Sequence, residues 1–426
     1  MQLLKILTPL VAGALLTAVS PFALAQNRGD DDVVDMQKAF RKGDKAALAA
    51  LLPAARGHAL EPWAAYWELK ARLNEASPGE VSAFLQRYAG TYQEDRLRND
   101  WLLLLGQRRD WAQFADLHPQ YRMSDDREVR CYALTVDQIK GTAPAGADEE
   151  VLRNWYALRE VDDGCTHAAA QMYASKRIKA ADVWRKARLA AEANRSRVVQ
   201  NAVEIVAPEA LPLLRDVLGS PAKFLASRAT AGGKVRQELI GLALIKMAMS
   251  DLATTAQLLD AKWGVQLSAE ERNWVWGVIG KQSAIALSGD ALGYFANVTK
   301  DSDLTDDMLG WKVRAALRAG QWKVAGRAID AMSPEARKDS TWTYWKARSL
   351  LANRPGDEDR AEIRQLLERI AGHSGFYEQL ALEELGQRVG LPAAPAPLTP
   401  EEKAAARANP GLARGLYAIQ LGLRSE

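Results

Sequence analysis

The feature that most constrains this chain is a repeat of 34 residues in its C-terminal half. Four pairs of apolar residues are separated by this interval: Trp311 and Trp345, Ala316 and Leu350, Ile329 and Ile363, and Met332 and Leu366. A 34-residue period is typical of tetratricopeptide-like helix pairs. One such pair cannot bury its apolar face alone, so neighbouring pairs must stack on one another.

The segments within the repeats have the pattern of amphipathic helices. Trp322, Ala325 and Ile329 recur at intervals of three and four residues, which places them on one helix face. Ser333 followed by Pro334 predicts the start of the next helix. The sequence has no alternating β-branched stretches bounded by turns, so no sheet is expected. The predicted fold is therefore all-α, a superhelix or solenoid of tetratricopeptide-like helix pairs that is curved or ring-shaped.

Residues 1–25 have the features of a secretory signal peptide. A single charge, Lys5, precedes an apolar run from Ile6 to Val19, and Ala23-Leu24-Ala25 fits the small-residue rule for cleavage. Cleavage is predicted after Ala25, which would make Gln26 the first residue of the mature protein. The run is too short to span a membrane. The predicted location is therefore the periplasm, with no membrane span elsewhere in the chain.

The charge and the cysteine content exclude several classes of site. The net charge of +3 is too small to indicate nucleic-acid binding. Cys131 and Cys165 are the only cysteines, and in an oxidising compartment such a pair predicts one disulfide. It would contribute about 3–4 kcal/mol in the chain-entropy account. His167 lies near Cys165, but the tight paired spacing of a zinc site is lacking. No metal and no cofactor are predicted.

Four long blocks rich in aromatic residues resemble segments of the soluble lytic murein transglycosylases. The blocks are LRNDWLLLLGQRRDWAQF (97–114), WKVRAALRAGQWKVAGRAIDAM (311–332), WTYWKARSLL (342–351) and GFYEQLALEELG (375–386). The resemblance extends from about residue 30 to the C-terminus. It implies a periplasmic, ring-shaped α-superhelix. In that family a lysozyme-like domain follows, cleaves the glycan between N-acetylmuramic acid and N-acetylglucosamine, and leaves a 1,6-anhydro sugar.

The resemblance also implies a division of the chain into domains. Residues 26–390 correspond to the superhelical domain, and four prolines in residues 391–400 predict an extended linker. Residues 401–426 resemble the start of a further helical linker region, and the catalytic domain is expected to be absent. The family's Glu-Ser and Gly-Leu-Met-Gln motifs are missing. Glu383 and Glu384 are the nearest to a carboxylate pair, but adjacent helical residues point about 100° apart. We therefore predict no catalytic residue and no activity for this chain alone.

The best candidate for binding is a group of basic residues in the best-matched repeat. It comprises Lys312, Arg314, Arg318, Lys323 and Arg327. Two pairs within it are spaced i,i+4 and so share a helix face. Murein carries carboxylates on its stem peptides and muramyl lactyl groups, and arginine can hold a carboxylate bidentately. The alternative interpretation of this group is a solvated basic face.

Two functions are compatible with the sequence. In the first, the chain binds and positions peptidoglycan as the superhelical part of a lytic transglycosylase, with peptidoglycan and other cell-wall enzymes as partners. In the second, it is a standalone periplasmic tetratricopeptide-like scaffold that binds a protein. Tryptophans at helical spacing, such as Trp67 and Trp101, are expected in the core, with sugar-stacking platforms as the alternative.

Overall fold

The computed structural model describes residues 29–390 and 394–424. Within these residues the chain forms 24 α-helices and no β-strand. The predicted all-α fold is therefore confirmed. The predicted signal peptide, residues 1–25, lies outside the described residues. No helix in the described part of the chain is both long enough and apolar enough to cross a membrane.

The helices follow one another with short connections. Their bounds are α1 (Asp30–Lys42), α2 (Lys45–Leu51), α3 (Glu61–Ala71), α4 (Pro78–Arg87), α5 (Tyr92–Gln107), α6 (Trp111–Leu117), α7 (Arg127–Lys140), α8 (Ala147–Ala157), α9 (Gly164–Ala174), α10 (Ala180–Glu192), α11 (Ser196–Val206), α12 (Leu211–Gly219), α13 (Pro221–Ser227), α14 (Lys234–Ala248), α15 (Leu252–Leu258), α16 (Ala269–Ile285), α17 (Ala291–Phe295), α18 (Asp306–Arg318), α19 (Trp322–Asp330), α20 (Ser340–Ala352), α21 (Asp357–Ile370), α22 (Phe376–Glu384), α23 (Pro400–Ala408) and α24 (Pro410–Gln420).

The chain divides into two compact units. The first contains the described residues up to Leu104 together with those from Leu398 onward, and the second contains the described residues from Leu105 to Pro397. The first unit therefore joins the two ends of the described chain. The predicted boundaries of the superhelical domain and its linker are not tested by this division and stay a prediction.

In the first unit, a buried hydrogen-bond network attaches α24 to α1. The Tyr417 hydroxyl donates to an Asp30 carboxylate oxygen at 2.5 Å, and His58 Nε2 lies 2.8 Å from the same atom. The backbone N–H of Leu60 donates to His58 Nδ1 at 3.0 Å. Because Nδ1 accepts this bond, the imidazole proton is on Nε2 and is donated to Asp30.

In the second unit, helices pack mainly on their neighbours along the chain. Helix α18 packs on α19, α19 on α20, and α20 on α21. Helices α18 and α20 each have 13 residues, and they begin at Asp306 and Ser340, one 34-residue period apart. Ala325 and Ile329 are buried on the apolar face of α19 that the sequence predicts. The predicted helix-pair repeat is therefore present.

Local start signals fix several helix boundaries. Reciprocal capping boxes, in which each side chain bonds the other residue's backbone N–H, begin three helices at Ser77, Ser268 and Thr399. The start predicted at Ser333 and Pro334 is wrong. The Ser333 hydroxyl accepts from the backbone N–H of Ala336, and a short 3₁₀ turn follows. Helix α20 begins only at Ser340, capped by the Asp339 carboxylate.

The two cysteines are bonded to each other. Cys131 in α7 and Cys165 in α9 form a disulfide with their Cα atoms 5.0 Å apart. Both residues are fully buried. The bond therefore crosslinks two packed helices in the second unit, as the cysteine pair predicts.

Candidate ligand-binding surface

The tryptophans separate into core residues and partly exposed residues. Of the 13 in the chain, eight are buried, including Trp67 and Trp101. The partly exposed tryptophans are Trp111, Trp311, Trp322, Trp342 and Trp345. Four of these five lie in α18, α19 and α20, so the partly exposed tryptophans are concentrated in the repeat that also carries the predicted basic residues.

Arg314 contacts two of these tryptophans at once. Its guanidinium carbon lies 4.9 Å from the ring centroid of Trp311 and 5.1 Å from that of Trp342, both within cation–π range. Gly310 precedes Arg314 by one helical turn. A Cβ atom at this glycine would lie 3.0 Å from the Trp342 ring and 3.1 Å from Arg314 Nη1. The glycine therefore allows Trp342 of α20 to approach α18 closely enough to contact Arg314.

Arg318 lies one helical turn after Arg314 and lines the same cavity. Arg314, Arg318 and Trp311 line a cavity of about 270 Å³, and both arginines are exposed. Within the described residues, neither arginine has a carboxylate at ion-pair distance. We call Trp311, Arg314, Arg318 and Trp342 the Arg314 surface. It combines two aromatic rings with two guanidinium groups whose charge no carboxylate of the described chain neutralises.

Lys312 does not belong to the Arg314 surface. Its side chain is buried, and its ammonium lies 2.6 Å from an Asp301 carboxylate oxygen. Met308, one helical turn before it, and Ala316, one turn after it, are also buried, so this side of α18 faces inward. The aliphatic part of the lysine is buried and only the ammonium reaches its carboxylate partner. Lys312 therefore does not lie on an exposed basic face, and its predicted role in binding stays a prediction.

The two remaining basic residues lie on α19. Arg327 is exposed and lines, together with Lys312, a second cavity of about 760 Å³. Leu292 of the short helix α17 lines both this cavity and the one beside Arg314. Lys323 is exposed and lines neither of them. The five predicted residues are therefore distributed over two adjacent cavities and open solvent, and only Arg314 and Arg318 share a cavity with a tryptophan.

A group of buried carboxylates lies between α10, α14 and α16, and no sequence motif marks it. Arg188 forms two hydrogen bonds with Glu238, of 3.0 and 2.7 Å. Lys234 lies 2.8 Å from Glu271 and 3.1 Å from Glu238. Burial raises the pKa of Glu238, against the attraction of Arg188. These glutamates find cationic partners that are distant in sequence, so no local pattern indicates their burial.

A second buried carboxylate lies next to this group. Glu192 accepts a hydrogen bond of 2.7 Å from the indole N–H of Trp274 and lies 3.4 Å from the Lys281 ammonium. Burial raises the pKa of Glu192. A carboxyl group with a raised pKa can serve as a proton donor, but only where a substrate can reach it. Neither Glu192 nor Glu238 lines either of the two cavities described above.

Glu383 and Glu384 do not converge on one site. Glu384 forms an ion pair with Arg348 and lies 3.4 Å from the Tyr344 hydroxyl. Glu383 makes neither contact, and both glutamates are exposed. In the described part of the chain there is also no group of three or more histidine, cysteine or acidic side chains that could hold a metal ion. The absence of a catalytic residue stays a prediction.

Comparison with solved structures identifies the fold. An inactive mutant of the lytic transglycosylase Slt from Pseudomonas aeruginosa matches with a TM-score of 0.54 and 25% sequence identity over 93% of this chain. The 70 kDa soluble lytic transglycosylase Slt70 from Escherichia coli matches with a TM-score of 0.49 and 16% identity over 93% of this chain. No protein-family model and no curated protein sequence matches.

The first match confirms, at the level of the fold, the resemblance to the soluble lytic transglycosylases that the sequence blocks predict. This chain spans 64% of the length of each of the two matched proteins. The match therefore supports a shared helical architecture. It does not establish that this chain has the activity of the longer proteins.

Proposed function

We propose that this chain is exported to the periplasm and binds and positions peptidoglycan through the Arg314 surface, as the superhelical part of a lytic-transglycosylase-like protein. The observation that carries the proposal is Arg314 itself. Its guanidinium lies between two tryptophan rings without a carboxylate partner in the described chain. The similarity to Slt over 93% of the chain supports peptidoglycan as the ligand.

The chemistry of the surface suits a glycan that bears carboxylates. A planar guanidinium presents parallel N–H donors that match both oxygens of a carboxylate, such as those of stem peptides and muramyl lactyl groups. Packing against Trp311 and Trp342 fixes the orientation of the Arg314 guanidinium, so less conformational entropy is lost when a carboxylate binds. Partly exposed indole rings also offer apolar faces to sugar rings.

The proposed role is binding without chemistry. Cleavage of a glycosidic bond requires a carboxylic acid placed at the glycosidic oxygen. Glu192 and Glu238 are buried beside cations, and Glu384 is paired with Arg348. Binding alone does not accelerate the chemical step unless the transition state is held more tightly than the substrate. We therefore expect the mature chain from Gln26 to release no 1,6-anhydromuropeptides from murein.

Co-sedimentation with purified murein sacculi tests the binding. The wild-type chain should sediment with sacculi, and the double substitution Arg314→Ala and Arg318→Ala should weaken binding about tenfold or more, since hydrogen bonds to charged groups contribute about 1.5–3 kcal/mol each. Arg197→Ala is the matched control, because Arg197 is an exposed arginine of the same unit without an ion pair among the described residues. Failure of the wild-type chain to bind sacculi would favour the protein-binding scaffold instead.

The same sacculi test the absence of chemistry. After digestion with the mature chain, soluble products are separated by chromatography and identified by mass spectrometry. Anhydro products above a control without protein would contradict the binding-only role. The search for the proton donor would then begin with Glu383 and Glu384.

A further inference from the structure

A third cavity lies away from the Arg314 surface, beside the disulfide. It has a volume of about 310 Å³ and is lined by residues of α7, α8 and α9 together with Trp111. Pockets that bind small molecules in proteins begin at about 300 Å³. The cavity therefore has room for a molecule of one or two rings and is too small for a folded segment of another protein.

The interior of this cavity is apolar. Leu134, Val151 and Met172 line it and are almost completely buried. Ile139 also lines it, yet 61% of this isoleucine is exposed to solvent. A large aliphatic side chain therefore stands at the entrance of an apolar cavity, where a bound apolar molecule would cover it and gain hydrophobic stabilisation.

The two arginines at the cavity are already neutralised. Arg109 donates to Asp163 with an N–O distance of 2.9 Å, and Arg177 donates to Asp148 at 3.0 Å. Both arginines line the cavity, but each is paired with a carboxylate. The cavity thus offers no unpaired charge to a ligand, which favours an uncharged molecule over an anion or a cation.

Thr135, Gln138 and Gln171 also line the cavity, and among its uncharged polar side chains we assign the polar contact to His167. Its ring packs against Trp111, with the ring centroids 5.9 Å apart, and it lines the cavity. Within the described residues, neither ring nitrogen of His167 has a hydrogen-bond partner. Burial and the Arg109 charge lower the pKa of His167, so the ring is neutral at pH 7. A neutral imidazole provides one donor and one acceptor.

We infer that this cavity is a binding site for a small uncharged molecule with an apolar ring and a hydrogen-bonding group. The ring occupies the space between Leu134, Val151 and Met172, and the polar group bonds to His167. This assignment goes beyond the proposed function and does not depend on it, because neither the Arg314 surface nor peptidoglycan enters the argument.

Met172 provides a direct probe of the site. The chain is labelled with methyl-¹³C methionine, and the Met172 signal is identified by its loss in Met172→Leu. Indole and cyclohexanol are the uncharged probes, and cyclohexanecarboxylate and cyclohexylammonium are the charged ones. We expect both uncharged probes to shift the Met172 signal in a saturable way, with a dissociation constant of about 1 mM or below. The charged probes should bind at least about tenfold more weakly.

Two substitutions locate the binding. His167→Phe keeps a ring against Trp111 but removes both hydrogen-bonding nitrogens, so the affinity for cyclohexanol should fall about fivefold. The matched control is His118→Phe, because His118 also stacks on an aromatic ring, Phe114, with the centroids 5.5 Å apart, but does not line the cavity. This control should bind like the wild type.

Ala168→Leu places a larger side chain in the cavity and should abolish the shift. If Ala168→Leu does not fold, the comparison of His167→Phe with His118→Phe still decides the polar contact. The inference is overturned if neither uncharged probe gives a saturable shift at Met172. It is also overturned if the charged probes bind as well as the uncharged ones, or if His167→Phe binds like the wild type.

Discussion

Among the arginines of the second unit that pack on tryptophan rings, Arg188 and Arg314 differ most in their surroundings. In the core, Arg188 lies 5.4 Å from the Trp274 ring centroid, and its side chain is 3% exposed. It bonds to both oxygens of Glu238 and to Glu270 at 2.9 Å. On the surface, Arg314 lies between Trp311 and Trp342 without any carboxylate partner in the described chain.

The difference shows what each arginine can do. A guanidinium that is removed from water must be neutralised, because an unpaired buried charge costs several kcal/mol. Arg188 is therefore committed to the fold. Arg314 remains partly in water and keeps its charge, while Trp311 and Trp342 fix its orientation. It is thus the arginine that can exchange water for a ligand carboxylate.

The largest effect is expected at the buried arginine. Arg188→Ala leaves Glu238 in the core without its bidentate partner, so the free energy of unfolding should fall by about 3–5 kcal/mol. The matched change Arg314→Ala should alter it by about 1 kcal/mol or less. Urea denaturation followed by circular dichroism measures both. Equal losses in the two variants would remove the distinction between a structural and a ligand-binding arginine.

A smaller effect is expected at Lys186, a buried cation that is bonded to backbone carbonyls. Its ammonium donates to the carbonyl oxygens of Trp155 and Leu158, the latter at 2.6 Å. Burial lowers the pKa of Lys186 from 10.5 to about 8. Between these two values the unfolded chain binds more protons than the folded chain, so the contribution of Lys186 to stability rises as the pH rises.

The unfolding free energy of the wild type minus that of Lys186→Met isolates this contribution. It should increase by about 2–3 kcal/mol between pH 7 and pH 10. A difference that is constant over this range, or that falls, would show that Lys186 is not held in a desolvated site.

The sequence predicts those parts of the structure that depend on local signals. The 34-residue period predicts the spacing of α18 and α20, and the capping boxes at Ser77 and Ser268 are motifs of only four residues. The helix start predicted at Ser333 is wrong because a serine hydroxyl can cap a 3₁₀ turn as well as an α-helix. The carboxylate of Asp339 caps the helix that follows.

In the candidate site, too, the sequence predicts only the features that depend on residues close together in the chain. The i,i+4 spacing predicts that Arg314 and Arg318 share a helix face. It does not predict their aromatic neighbours, because Trp342 reaches Arg314 from a separate helix. The sequence does not distinguish the buried Lys312 from the exposed basic residues near it, since its ion-pair partner Asp301 lies outside its helix. The ion pair of Arg188 with Glu238 joins residues 50 positions apart, which no local pattern reveals.

The smallest effect on stability is expected at Gly310. An alanine in the middle of a helix gains about 0.5–1 kcal/mol over glycine, but here the added Cβ would push against the Trp342 ring at 3.0 Å. These contributions offset each other, so Gly310→Ala should change stability by less than about 1 kcal/mol while weakening murein binding. Gly415→Ala is the control, because nothing lies within 4 Å of its added Cβ. Unchanged murein binding in Gly310→Ala would show that contact with Trp342 does not orient Arg314.

The central claim is that Arg314 recognises a carboxylate, and one titration tests it most directly. A soluble muropeptide with free carboxylates and the same muropeptide with amidated carboxylates are titrated by calorimetry into the wild type, Arg314→Ala and Arg197→Ala. The wild type and Arg197→Ala should prefer the free carboxylate form by about tenfold or more. Arg314→Ala should bind the two forms with nearly equal affinity. If Arg314→Ala keeps the wild-type preference, Arg314 is not the residue that reads the carboxylate, and the account is wrong.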